Sequence, residues 1–158
     1  MANPDIPRIF LVVVDDSEEM PMALYYATRR ARNTGGRVAL LHVTPPPEVL
    51  GLASVEALMR EEIRQEAEQL LQRLARTVVD DGGALPILHL REGSLRDELL
   101  DLVSNDPTIT VLVLAAGTGP EGPGPLVSFL ASKAMTKLRI PVTIVPGGLT
   151  RGQMDQLA

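Results

Sequence analysis

The residues of this chain whose types and spacing suit chemistry fall in two places. Asp15 follows one apolar run, and the loop Gly117 to Pro125 (GTGPEGPGP) follows another, with Ser128 just beyond it. Glycines let backbone N–H groups approach a phosphate, whereas prolines have no N–H to offer. Gly117, Gly119, Gly122 and Gly124 would permit an anion nest, but Pro120, Pro123 and Pro125 remove donors that such a nest would use. Gly117, Gly119 and Gly122 spell G-x-G-x-x-G, yet the motif follows a late strand and no helix begins at once. No acidic residue lies about 20 positions on to hold a ribose, so the dinucleotide fingerprint is incomplete. A Walker A loop fails as well, because no Gly-Lys-Ser/Thr follows. The duller reading of the segment is a flexible Pro/Gly crossover without a ligand.

Other chemistries are poorly supplied. The chain has no cysteine and only two histidines, which excludes thiolate sites and leaves little for an imidazole site. His42 and His89 each sit in an apolar strand and read as packed histidines. Nothing places a base beside an activated nucleophile, and no glycine-flanked nucleophile elbow occurs, so no catalytic set emerges. A net charge of −5 and 3% aromatic residues exclude the basic stripe and stacking platforms of a nucleic-acid binder. No apolar run approaches the roughly 18 residues of a membrane span, and the opening MANPDIPR has no basic start; the expectation is a cytoplasmic protein.

The elements that must position these residues are legible as alternating patterns. Ile9 to Val14 (IFLVVV) and Ile109 to Ala116 (ITVLVLAA) are continuous in apolar residues, as strands covered on both faces are. Val38 to Val43 and Pro141 to Pro146 are further strands, and Leu85 to Leu90 is an edge candidate because of its proline. Helices are expected after Glu19, with Asp16 and Glu19 as a capping box, ending at Asn33 to Gly36; after about Ser54, ending at Asp80 to Gly83; and after Ser94, capped with Asp97. A fourth runs from Leu126 to near Arg139, on the three- and four-residue spacing of Leu126, Val127, Leu130, Ala134 and Leu138. Acidic residues concentrate between 56 and 106, on a solvated helix face. Five strands alternating with four helices call for an α/β fold, a doubly wound parallel sheet with helices on both faces. In such a sheet the loops after the first and fourth strands meet where strand order reverses, which would bring Asp15 beside the glycine loop. One domain, residues 1–148, is expected, with 149–158 as a flexible tail, since three glycines and an arginine lie between Pro146 and Gln153.

Val12 to Ser17 (VVVDDS), Leu41 to Val43 (LHV), Gly93, the loop after the fourth strand and Ile140 to Pro146 (IPVTIVP) together resemble the universal stress proteins over nearly the whole chain. The resemblance implies strand order 3-2-1-4-5, a homodimer through the last strand (Ile140 to Pro146), and ATP or AMP as the ligand class. It places Asp15 and Val43, with neighbouring Val14, at the adenosine end. The family's phosphate loop reads G-x-x-G-x9-G-S/T. Counted back from Pro141 and Val142, its four motif positions fall on Ala115, Thr118, Ser128 and Phe129, and all four differ. A shifted alignment uses Gly117 and Gly119, leaving Gly117, Thr118, Gly119 and Ser128 as candidate phosphate contacts; Ser128 and Ser132 would add hydroxyls near a helix amino end. The resulting expectation is a non-catalytic, homodimeric stress-response protein with a degenerate adenine-nucleotide pocket, acting on an unidentified protein partner. The alternative is an ATP/AMP-binding sensor using the glycine loop; slow ATP hydrolysis has the least support, for want of a positioned base. Asp15 also has a plain reading, as a helix cap beside Asp16.

Overall fold

The computed structural model describes residues 7–47 and 51–158, Lys133 by its backbone alone. Met1 to Ile6, with which the one-domain reading opens, and residues 48–50 of the loop leaving the second strand lie outside the described residues. Five strands form one parallel sheet: β1 (Ile9–Val13), β2 (Arg37–Thr44), β3 (Ile87–Glu92), β4 (Ile109–Ala116) and β5 (Val142–Pro146), in the order β3-β2-β1-β4-β5. β1 is central and all five of its residues are buried, which is why its sequence does not alternate. It pairs Leu11 with Ala39 of β2 and with Leu112 of β4. β3 takes the edge expected from Pro86, although the strand itself starts one residue after that proline.

Helices cover both faces. α1 (Met20–Thr34) and α2 (Ala53–Asp80) share one face with α5 (Arg151–Leu157), where Phe10, Val12, Leu24, Ala27, Leu71, Val78 and Met154 form one core. α3 (Leu95–Asn105) and α4 (Pro125–Leu130) cover the other, where Leu11, Val13, Leu99, Val103, Leu112, Leu114 and Leu130 form a second. Alternate residues of β1 thus feed two cores, as the two-residue period of a strand requires. α1 ends as its NTGG sequence suggests, with Gly35 in the left-handed region at φ 71°.

Five expectations need correction. The capping box at Asp16 does not form: Glu19 is the N-cap of α1 and makes no side-chain cap hydrogen bond. Asp15, rather than capping the helix, accepts hydrogen bonds from the Ser17 backbone N–H (3.0 Å) and hydroxyl (2.6 Å), closing a local turn before α1 begins. Ser94 is the N-cap of α3, likewise without a side-chain bond. The helix drawn from Leu126 to Arg139 is two pieces, because α4 stops at Leu130 and a 3₁₀ turn spans Lys133–Lys137. Between them Ser132 leaves the helical region, at φ −104° and ψ −126°.

The fifth correction concerns the carboxyl terminus. Residues 151–157 form a helix rather than a loose tail. Thr150 and Gln153 make a reciprocal capping box, and Met154, fully buried, enters the α1-side core. Asp155 then ties the helix down, accepting from the Tyr25 hydroxyl at 2.7 Å and pairing with Arg29 at 2.8 Å. That hydrogen bond from the phenol to a carboxylate holds the Tyr25 hydroxyl above its usual pKa.

Candidate functional site

The loops after β1 and β4 meet at the carboxyl end of the sheet, as the topology requires. Two cavities open there. The first is a cleft of about 460 Å³ between the start of α1, the end of β4, the start of α3 and the start of α4. Val13, Met20, Leu95, Leu114, Leu126 and Val127 give it apolar walls. Its polar lining is Asp15, Asp16, Ser17, Glu19, Ser94 and Arg96. The volume lies in the ordinary range for a small-molecule pocket, and a mostly apolar wall with a few polar groups is the usual composition of one. The Arg96 guanidinium lies 4.7 Å from the centroid of the Phe129 ring, so the cleft's one cation among the described lining residues is laid over an aromatic face.

The second cavity, about 760 Å³, is built from the loop between β4 and α4: Gly117, Thr118, Gly119, Glu121, Gly122 and Gly124, with Ser128 and Gly147. Glu18 and Glu19 enter it from the start of α1. The cavity therefore carries three carboxylates, and its lining as described includes no lysine or arginine. The loop also spends its own donors: Gly117 N–H donates to Pro123 O (3.0 Å) and Gly122 N–H to Gly119 O (3.2 Å). Gly122 (φ 91°) and Gly124 (φ 110°) occupy backbone conformations that other residues rarely adopt, so these two glycines serve the turn itself.

Glu19, Gly124 and Pro125 line both cavities and form the wall between them. The Glu19 side chain is set among glycines. A Cβ built at Gly117 would lie 3.3 Å from Glu19 Oε1, one at Gly124 would lie 3.8 Å from the same atom, and one at Gly147 would lie 3.2 Å from Glu19 Cβ. Gly147 and Gly117 also bring backbone close, since a Cβ there would meet Ala116 O at 2.4 Å and Gly122 O at 3.1 Å.

The expected site residues divide along this wall. Gly117, Thr118, Gly119 and Ser128 line the loop cavity, and Asp15 lines the cleft. Val14 and Val43 line neither. Val14 is 2% exposed, its N–H donates to Leu41 O (2.7 Å) and its carbonyl lies 3.0 Å from His42 Nδ1, which accounts for that histidine as a satisfied one. Val43 packs against the core on the α3 side. Ser132 donates its hydroxyl to Phe129 O (2.9 Å) rather than facing the cavity. Sequence reasoning missed Glu19 and Arg96 as lining residues. Arg96 had a signal in its place two residues after Ser94 at a helix start; Glu19 had none beyond its spacing from Asp16. Among the described residues no group of three or more His, Cys, Asp or Glu is arranged to hold a metal ion, and no helix is long and apolar enough to cross a membrane.

The residues present fit only part of an adenine nucleotide. The cleft has room for a nucleoside-sized body beside Asp15, but the adjoining glycine loop offers phosphates an acidic wall, and its Gly117 and Gly122 amides are turned inward. Comparison with known proteins gives the context for that disagreement. The model of the universal stress protein family matches residues 7–146. The chain is similar in structure to the universal stress protein UspA from Lactobacillus plantarum, with a TM-score of 0.72 and 17% identity over 87% of this chain and 97% of that one. It is also similar to the universal stress protein from Archaeoglobus fulgidus in complex with dAMP (TM-score 0.62, 20% identity, 89% and 98% covered). A third likeness is to a universal stress protein in complex with cAMP (TM-score 0.58, 16% identity, 89% and 98% covered). No curated protein matches the chain.

Proposed function

Taking as premise that this chain belongs to the universal stress protein family, we propose that it is a cytoplasmic, non-catalytic homodimer that acts in a stress response through protein contacts, with a degenerate adenine-nucleotide pocket. The observation that supports this most is the charge around the glycine loop: Glu18, Glu19 and Glu121 line it with no described cation among them. A triphosphate brought there meets like charge at close range, which disfavours binding. The Ser17 hydroxyl in the cleft is spent on Asp15 in a local turn, and the family's hydroxyl position falls on Phe129, whose ring is engaged by Arg96.

The subunit contact in this reading is the free edge of β5. That edge carries Ile144, 43% exposed, on a strand whose other side is paired with β4. An unpaired edge with an exposed apolar side chain is a template for a second strand. Val142 packs partly against the core, so Ile144 is the cleaner position to perturb. Light scattering at micromolar concentration should give the mass of two chains for the native protein and of one for Ile144→Lys. A native monomer would remove the dimer from the proposal, and phosphate release from ATP faster than in buffer would remove its non-catalytic part.

The second reading, an ATP- or AMP-binding sensor, is favoured by the room beside Asp15 and by the relatives whose structures hold dAMP and cAMP. It requires saturable binding that Asp15→Ala weakens.

A further inference from the structure

We propose that Glu19 is the residue that sets ligand charge in this protein: its carboxylate fills the glycine cradle where an anion would otherwise sit, and so restricts the neighbouring cleft to ligands without a phosphate. The inference rests on the degenerate-pocket reading and deepens it by naming the cause. Three observations converge on this side chain. It is in the wall shared by the cleft and the loop cavity. Its Oε1 lies within 3.3 Å of the Cβ position of Gly117 and 3.8 Å of that of Gly124, and its own Cβ lies 3.2 Å from that of Gly147. Gly117 and Gly124 come from the end of β4 and the start of α4, so the carboxylate lies between those two segments, while the stem of the same side chain packs on Gly147 at the end of β5.

The side chain is available for this role because its structural duties are carried by its backbone. The Glu19 carbonyl accepts from Met22 N–H (2.9 Å) and Ala23 N–H (3.4 Å), while the side chain makes no cap hydrogen bond. A fixed negative charge within a few ångströms of an incoming phosphate, partly shielded from water, weakens anion binding strongly. The same charge leaves neutral or cationic molecules unopposed. The cleft behind it, with Met20, Leu95, Leu114, Leu126 and Val127, suits an uncharged, largely apolar body.

The neutral isostere Glu19→Gln keeps the length of the side chain and the backbone N-cap, and Glu19→Ala empties the cradle. Calorimetric titration with adenosine, AMP and magnesium ATP is made on the native protein, on both variants and on Glu121→Gln, whose carboxylate lines the same cavity from the exposed loop tip. Melting curves without ligand certify that each variant folds. The expected result is that AMP and ATP give no measurable binding to the native protein and saturable binding to Glu19→Gln and Glu19→Ala, with affinities at least about tenfold above the detection limit of the titration. Adenosine affinity should be unchanged by Glu19→Gln, and Glu121→Gln should gain little. If neither Glu19 variant gains affinity for AMP or ATP, Glu19 is not the cause of exclusion and the proposal falls, although the degenerate-pocket reading survives. An equal gain in Glu121→Gln overturns it too, since bulk charge would then explain the effect. Tight ATP binding by the native protein overturns both.

Discussion

Two cavities share a wall at the carboxyl end of one sheet, and they are built on opposite principles. The cleft is walled by side chains that also serve the cores: Val13, Leu114 and Val127 are each under 8% exposed. The loop cavity is walled by backbone and by carboxylates, with Thr118, Gly119 and Glu121 exposed. Glycines are abundant in the second, yet it is the poorer place for an anion. Glycine supplies conformational freedom and close approach, and an anion site needs free donors and the right sign of charge besides. Here the Gly117 and Gly122 amides are turned inward to Pro123 and Gly119, three prolines offer none, and the charge is negative.

The contrast makes graded predictions. Leu114→Ala removes a side chain that both walls the cleft and sits in the core, and should cost about 2–5 kcal/mol, read as a lower urea midpoint. Gly124→Ala acts at the shared wall through the backbone alone, because its φ of 110° is strained for any other residue while the nearest side-chain atom is 3.8 Å away. About 1–3 kcal/mol is expected. Outside both cavities, burial holds the His89 imidazole below its ordinary pKa of 6.5. Its folded pKa is lower than its unfolded one, so the stability it contributes is complete above about 6.5 and is lost as pH falls below that. The urea midpoint should decline on acidification below pH 6.5, and His89→Gln should flatten that slope; an unchanged slope would assign the acid sensitivity elsewhere. Gly119→Ala is the smallest effect. Its Cβ would meet only Glu121, at 3.9 Å, and its φ is not positive, so a change within about 0.5 kcal/mol is expected. A large loss there would mean that the loop is more tightly built than its exposure suggests.

Much of the fold could be read from the chain because its strands are covered on both faces. ITVLVLAA and IFLVVV are unbroken apolar runs, and several such runs separated by helices are the pattern of a parallel sheet covered on both faces, which at five strands is an open, doubly wound one. The carboxyl-terminal helix was harder, since RGQMDQL contains a glycine and little apolar surface. Its stability comes from tertiary contacts of Met154 and Asp155 with α1, which periodicity does not register. The cap Thr150-x-x-Gln153 was nevertheless there to be read. The break between α4 and the 3₁₀ turn has no glycine or proline to announce it.

The site was legible in outline and not in detail. Topology alone brought Asp15 to the switch-point crevice and the glycine loop beside it. It could not say that the two would line different cavities. Asp16 and Glu19 have the spacing of a capping pair, and the local pattern is identical whether Glu19 turns back to the helix or across to Gly117 and Gly124; only the distant loop after β4 resolves it.

The central claim is that this fold retains the family's crevice without its phosphate site, and a thermal melt of the native protein with and without millimolar ATP and magnesium tests it most directly. A ligand at about 100 times its dissociation constant stabilises by roughly 2.7 kcal/mol, enough to raise the midpoint of a domain this size by several degrees. The account predicts no rise, and no nucleotide in the supernatant of the denatured protein by mass spectrometry. A rise of several degrees, or a carried-over adenine nucleotide, would contradict it.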